Sequence, residues 1–121
     1  LQPILNRLAE LSFTTFDEEA ILIHDFPVQF IVATPGLESE AVEDAMVATW
    51  ASHHRLRVMR PEHLAAIAMT VGRPKDRARL VYLVSLPSFD RSKFLEILTR
   101  FHLLDRWRSW AEGLGLDLRL D

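Results

Sequence analysis

The stretch Arg57-Val58-Met59-Arg60-Pro61-Glu62-His63-Leu64-Ala65-Ala66-Ile67-Ala68-Met69-Thr70-Val71-Gly72-Arg73-Pro74-Lys75-Asp76-Arg77-Ala78-Arg79-Leu80 carries the densest punctuation in the chain. Residues 56–59 alternate in character and predict a strand with Leu56 and Val58 turned inward. Pro61 suits the first turn of a helix, where its missing N–H costs no hydrogen bond, so a helix should run from there to Val71. Gly72 then stops that helix, and Pro74 opens a second one expected to reach about Leu86. A strand followed by two helices joined through glycine and proline is not a regular βαβ alternation.

Working downstream, Ser88 or Asp90 can cap a further helix through Phe101, with Phe94, Leu95, Ile97, Leu98 and Phe101 toward the core. A last helix, Leu104 to Leu114, carries Trp107 and Trp110 three residues apart. These two form a core seam or a partner-facing patch, with Arg106 and Arg108 on the flanks able to stack on an indole. Upstream, Ile4, Leu5, Leu8 and Leu11 follow helical spacing over residues 3–12. Residues 20–24 and 28–33 are β-rich runs separated by Asp25-Phe26-Pro27, and Pro35-Gly36 ends the second. Residues 38–49 are expected as one helix with Glu40, Glu43 and Asp44 on an acidic face. The fold class expected is therefore α+β, a small mixed or antiparallel sheet with a helical C-terminal half.

Composition agrees with a globular chain. At 121 residues, 49% hydrophobic and 26% charged, residues 1–121 are expected to form a single domain. The absence of cysteine excludes disulfides, thiolate metal sites and a cysteine nucleophile. No apolar run reaches membrane-spanning length and no secretion signal is visible, so a cytoplasmic protein without a membrane partner is expected. The net charge of −3 hides an asymmetry: the first 54 residues hold nine acids against Arg7 alone, and the remainder is basic. Twelve of the fourteen bases are arginine, whose planar fork suits phosphate and carboxylate recognition. Packing of the acidic half on the basic half, or a basic face for an anionic partner, would each account for this pattern.

Generic catalytic motifs are missing. There is no nucleophile elbow, P-loop, dinucleotide fingerprint or H-E-x-x-H, and no D-x-D pair. Glu38-Ser39-Glu40 is read as first-turn acids favoured by the helix dipole, and Asp17-Glu18-Glu19 as an exposed acidic turn. His53, His54 and His63 have no spacing that would force them together on a metal.

The 57–80 stretch resembles minimal nucleotidyltransferases, including toxin–antitoxin members. In that family a strand leads into a Pro-Glu-His-Leu helix, here residues 61–64, followed by a Gly-Arg-Pro-Lys-Asp junction, here residues 72–76. Phe26-Pro27-Val28-Gln29-Phe30 and Leu103-Leu104-Asp105-Arg106-Trp107 look like the family too, so the resemblance covers residues 20–112. It implies a truncated nucleotidyltransferase fold and Mg2+-dependent transfer of a nucleotidyl group from a nucleoside triphosphate, with Arg73, Lys75 and Arg77 binding the nucleotide. The metal-binding carboxylates of the family come from a Gly-Ser turn and an Asp-x-Asp strand. Those should lie between the first helix and residue 20, where only Phe13 to Glu19 stand, and Gln29 falls at the third carboxylate. Either the chain is a shortened, degenerate member or a segment near Ser12–Phe13 is missing, and no catalytic or metal-binding residue is assigned. The alternative function is a non-catalytic interaction module, a homodimer packed through the Trp107–Trp110 helix or the acidic 38–49 face. Nucleic acid is not an expected partner, since the chain is acidic overall and shows no recognition signature.

Overall fold

A computed structural model describes residues 1–115 and shows an α+β protein. The chain folds as two compact units, Leu1–Ala33 and the remainder from Thr34 onward. Among the described residues no helix is long and apolar enough to cross a membrane.

The first unit places α1 (Gln2–Glu10) before a three-stranded antiparallel sheet of β1 (Phe16–Asp17), β2 (Ala20–Ile23) and β3 (Phe26–Val28), in that order. His24 and Asp25, at φ 48° and 67°, form the two-residue turn between β2 and β3. A type I′ turn needs positive φ at both positions and matches the twist of the flanking strands. The third strand thus begins two residues earlier than the expected 28–33 run, because Asp25-Phe26-Pro27 is not a loop but the turn end and strand start. Pro27 is tolerated there because β3 is an edge strand. Residues 29–34 carry no regular structure, and Ile31 and Val32 are exposed. Ile21, on the central strand, is this unit's buried side chain.

The second unit begins with α2 (Leu37–Glu43), followed by the antiparallel hairpin β4 (Met46–Trp50) and β5 (His54–Val58). The expected helix over 38–49 therefore stops at Glu43. Met-Val-Ala-Thr-Trp is rich in strand-forming side chains, and its pairing with residues 54–58 outweighs the helical spacing of the preceding turn. Register sets Met46 opposite Val58, Ala48 opposite Leu56 and Trp50 opposite His54. These six share one face, because residues directly opposite in an antiparallel pair lie on the same side. The expectation that Leu56 and Val58 turn inward is not met: they are 47% and 43% exposed, and Trp50 66%. Five of these six side chains are exposed, Ala48 being half-buried.

The helices follow the expected punctuation closely: α3 (Pro61–Val71), α4 (Pro74–Val84), α5 (Arg91–Arg100) and α6 (Leu104–Leu114). Ala65, Ala66 and Ala68 of α3 are buried, and small side chains there let neighbouring helices approach closely. Leu80 of α4 and Ile97 and Leu98 of α5 fill the same core. Phe94 sits edge-on to both Phe89 and Trp107, with ring centroids 5.1 and 4.9 Å away. Trp107 is thus a core residue, whereas Trp110 is only half-buried. The Asp90 side chain caps α5 by accepting the Lys93 N–H at 3.0 Å. Asp90's own N–H donates at 2.7 Å to Oε1 of Glu62, a buried carboxylate on the first turn of α3.

Candidate functional site

The joint between α3 and α4 is built by Gly72, Arg73 and Asp76. Gly72 closes α3 in the left-handed region, φ 74° and ψ 17°, and its N–H bonds the Ala68 carbonyl at 3.0 Å. Arg73 precedes α4 as its N-cap residue, and Pro74 occupies the first helical position. The carboxylate of Asp76 accepts the Arg73 backbone N–H at 3.1 Å and the guanidinium Nε at 2.8 Å, with Nη2 at 3.3 Å on its other oxygen. Asp76 is 1% exposed. The Arg73 hydrogen bond holds its carboxyl below the usual carboxylate range.

The three sequence-predicted nucleotide-binding residues therefore divide. Arg73 is committed to Asp76 and locks the turn. Lys75 and Arg77 point from exposed positions of the first turns of α4 and form no ion pair among the described residues. Arg77 instead lies over Trp110 of α6, its guanidinium carbon 5.0 Å from the ring centroid. Arg106, also on α6, approaches the same ring at 5.9 Å. A β-carbon placed on Gly72 would lie 3.3 Å from Arg106 Nη2 and 3.8 Å from Trp110, so α6 packs directly onto the joint. Arg108 turns away to Asp105 at 3.5 Å. A recess of about 240 Å3 opens here between Arg77, Ser109, Trp110, Gly113 and Leu114. Sequence reasoning found the stacking capacity of Arg106 but not its place beside Gly72.

A larger cleft of about 580 Å3 lies between α2 and α5, lined by Glu40, Glu43, Asp44, Lys93, Glu96 and Arg100. Beside it His63 is 1% exposed. Its Nε2 lies 3.0 Å from Glu40 Oε2, and its Nδ1, without a hydrogen-bond partner, lies 3.9 Å from Asp44 Oδ2. Glu40 also accepts from Arg100 Nη1 at 2.5 Å, and Asp44 pairs with Lys93 at 2.8 Å and Arg60 at 3.3 Å. Each carboxylate is held below the usual range, Glu40 chiefly by Arg100 and Asp44 chiefly by Lys93. The pairs that Glu40 and Asp44 form tie α2, α3 and α5 together. Size alone therefore does not make this cleft the functional site, and the smaller α4–α6 recess, lined by Arg77 with no ion pair among the described residues, is the better candidate.

The remaining candidates are dispersed. The rings of His53 and His54 lie 4.3 Å apart, tilted by 44°, and His24 meets Phe13 edge-on. Glu38 accepts the N–H and hydroxyl of Thr34 at 2.7 and 2.8 Å, so it does not act with Glu40 as a pair. Gln29 donates to Glu19 at 2.8 Å. Among the described residues no three histidine, aspartate or glutamate side chains are grouped to hold a metal ion. The Mg2+ implied by the family resemblance thus finds no fitting carboxylate set in this part of the chain. No family model, curated protein or solved structure matches the chain.

Proposed function

We propose that this chain is a nucleotidyltransferase-like domain that binds a nucleoside triphosphate at the α3–α4 joint. The reading rests on the resemblance of residues 57–80 and is carried by one observation. Among the described residues, Lys75 and Arg77 have no ion-pair partner on the first turns of an eleven-residue helix whose capping arginine is already neutralised by Asp76. The helix dipole makes such an end favourable for phosphate, and two cations without an ion pair among the described residues strengthen it. Binding is what these residues supply. Transfer to an acceptor needs metal-holding carboxylates, which the described residues do not bring together.

The test is thermal melting against each nucleoside triphosphate, with and without magnesium. Ligand at 100 times its dissociation constant should add about 2.7 kcal/mol, a rise of several degrees. Lys75→Ala with Arg77→Ala should abolish the rise while leaving Arg73 to hold the turn. No rise at millimolar nucleotide overturns the proposal.

A second reading, a non-catalytic homodimeric interaction module, is favoured by the uncovered apolar face of the β4–β5 hairpin. Two-stranded hairpins are marginal alone in water, and exposed apolar patches mark interaction surfaces. Light scattering across micromolar concentrations should show a dimer that Trp50→Ser with Leu56→Asn dissociates. A monomer at every concentration removes this reading.

A further inference from the structure

We infer that two copies of this chain pair through the outer edges of their β4 strands, joining the two hairpins into one antiparallel sheet in the order β5-β4-β4-β5. The inference rests on the homodimer reading and names the edge that the copies share. In the β4–β5 sheet both strands are edges, and every side chain of the two is exposed except that of Ala48. Among the described residues no other backbone hydrogen bond engages residues 46–50 or 54–58 beyond those between the two strands. Each outer edge therefore offers alternate N–H and C=O groups to a strand that can lie beside it.

Charge selects which edge is shared. β5 carries His54, Arg55 and Arg57, whereas β4, Met-Val-Ala-Thr-Trp, carries no charged residue and no proline. Charged side chains and prolines are the usual guards of an exposed edge, so the β5 edge is guarded and the β4 edge is not. Two β5 strands related by a twofold axis at Leu56 would set Arg55 of each copy opposite Arg57 of the other. Like charges directly opposite destabilise a strand pair. Two β4 strands meet without any such repulsion.

A twofold axis at Ala48 brings all five residues of each β4 into register: Met46 opposite Trp50, Val47 opposite Thr49, and Ala48 opposite its own copy. Directly opposed residues share a face, so the face of each hairpin that holds Met46, Ala48, Trp50, Leu56 and Val58 runs on into that of the other. Met46 then meets an indole, a favourable sulfur–aromatic contact, and the other face sets Val47 against Thr49, two β-branched side chains suited to strands. The joined sheet escapes the marginal stability of a lone two-stranded hairpin. Its outer edges are the two β5 strands, whose arginines discourage further addition, so assembly closes at two copies.

The chain has no cysteine, so a single introduced thiol can report on its own copy. Opposed Cα atoms in an antiparallel pair lie about 4.5–5.5 Å apart, within the roughly 4.4–6.8 Å that a disulfide spans. The Ala48→Cys variant should therefore give a covalent dimer under mild oxidation. Leu56→Cys should not, because three strand spacings of about 4.8 Å separate the two β5 strands. The unaltered chain supplies a second measurement. Met46 and Trp50 of one strand lie about 13 Å apart at roughly 3.3 Å per residue, so a nuclear Overhauser contact between the Met46 methyl and the Trp50 ring in mixed labelled and unlabelled chain arises between copies. A covalent dimer from Ala48→Cys alone, together with that contact, upholds the shared edge. A dimer in light scattering whose Leu56→Cys variant crosslinks as readily as Ala48→Cys, or which lacks the Met46–Trp50 contact, overturns it and leaves the homodimer reading standing. A chain that is monomeric at every concentration and forms no crosslink overturns both.

Discussion

Replacing Gly72 with alanine should destabilise the protein by about 1 kcal/mol, although the same exchange stabilises wherever alanine fits the backbone. At φ 74° and ψ 17° the residue sits in the left-handed region, which costs an ordinary L-residue about 1–2 kcal/mol. Part of that is offset, because alanine narrows the unfolded ensemble and returns about 0.4–1 kcal/mol. Steric crowding adds little. The new β-carbon would lie 3.3 Å from Arg106 Nη2, the far end of a flexible side chain, and at ordinary contact distance from Trp110. For a chain of this length the loss should lower the melting temperature by about 3–6 °C, between the shifts of smaller and larger domains. Calorimetry or urea unfolding followed by circular dichroism measures it. Gly72→Asn separates the two effects, since asparagine enters the left-handed region more readily while carrying the same β-carbon. It should recover part of the stability while still displacing the end of the Arg106 side chain. An alanine variant more stable than the parent would refute the left-handed cap.

Two further outcomes follow from the core and the charge network. Phe94→Ala removes both edge-on aromatic contacts from a fully buried site and should cost about 3–5 kcal/mol in urea unfolding; a loss under about 1 kcal/mol would show that Phe89, Phe94 and Trp107 are not packed together. Glu40, Asp44 and Asp76 all have folded-state pKa values below their ordinary ones, so between the two values the unfolded chain binds more protons. Their contribution is complete above the ordinary carboxylate range and is lost as pH falls through it toward the depressed values. Urea midpoints measured from pH 7 to pH 3 should decline on the acid side, and Glu40→Gln with Asp44→Asn should flatten that decline; an unchanged slope would contradict it.

The helical half was legible because its signals are local. Pro61, Gly72, Pro74 and Asp90 each announce a boundary within a residue or two of where it falls, since a proline, a left-handed glycine or a capping carboxylate acts on its own turn. The sheets were legible in part: the runs at 20–24 and 56–59 fall on β2 and β5, but β4 and the start of β3 were missed. Residues 46–50 fit both a helical stripe and strand alternation, and only their pairing with residues 54–58, formed across a turn, decides between them. The turn at His24-Asp25 lacks the Asn-Gly signature that would have placed β3 correctly. At the site, Arg73, Lys75 and Arg77 were readable as a basic cluster. The acid at position 76, three residues past the capping position, was the signal that Arg73 folds back onto the turn. Arg106 and Trp110, four residues apart on α6, could be read as a stacked pair. Their arrival at Gly72, more than thirty residues earlier, belongs to helix packing and leaves no local trace.

The hydrogen bond from the Asp90 N–H to Glu62 joins residues 28 apart and closes a chain loop that contains nearly all of α3 and the whole of α4. One donor at the mouth of that loop therefore reports on everything inside it. In hydrogen exchange the Asp90 amide should not open with the frayed end of α5 alone, because releasing it means detaching α5 from the start of α3. The α3–α4 joint then belongs to a cooperative unit whose latch is a buried glutamate on the first turn of α3.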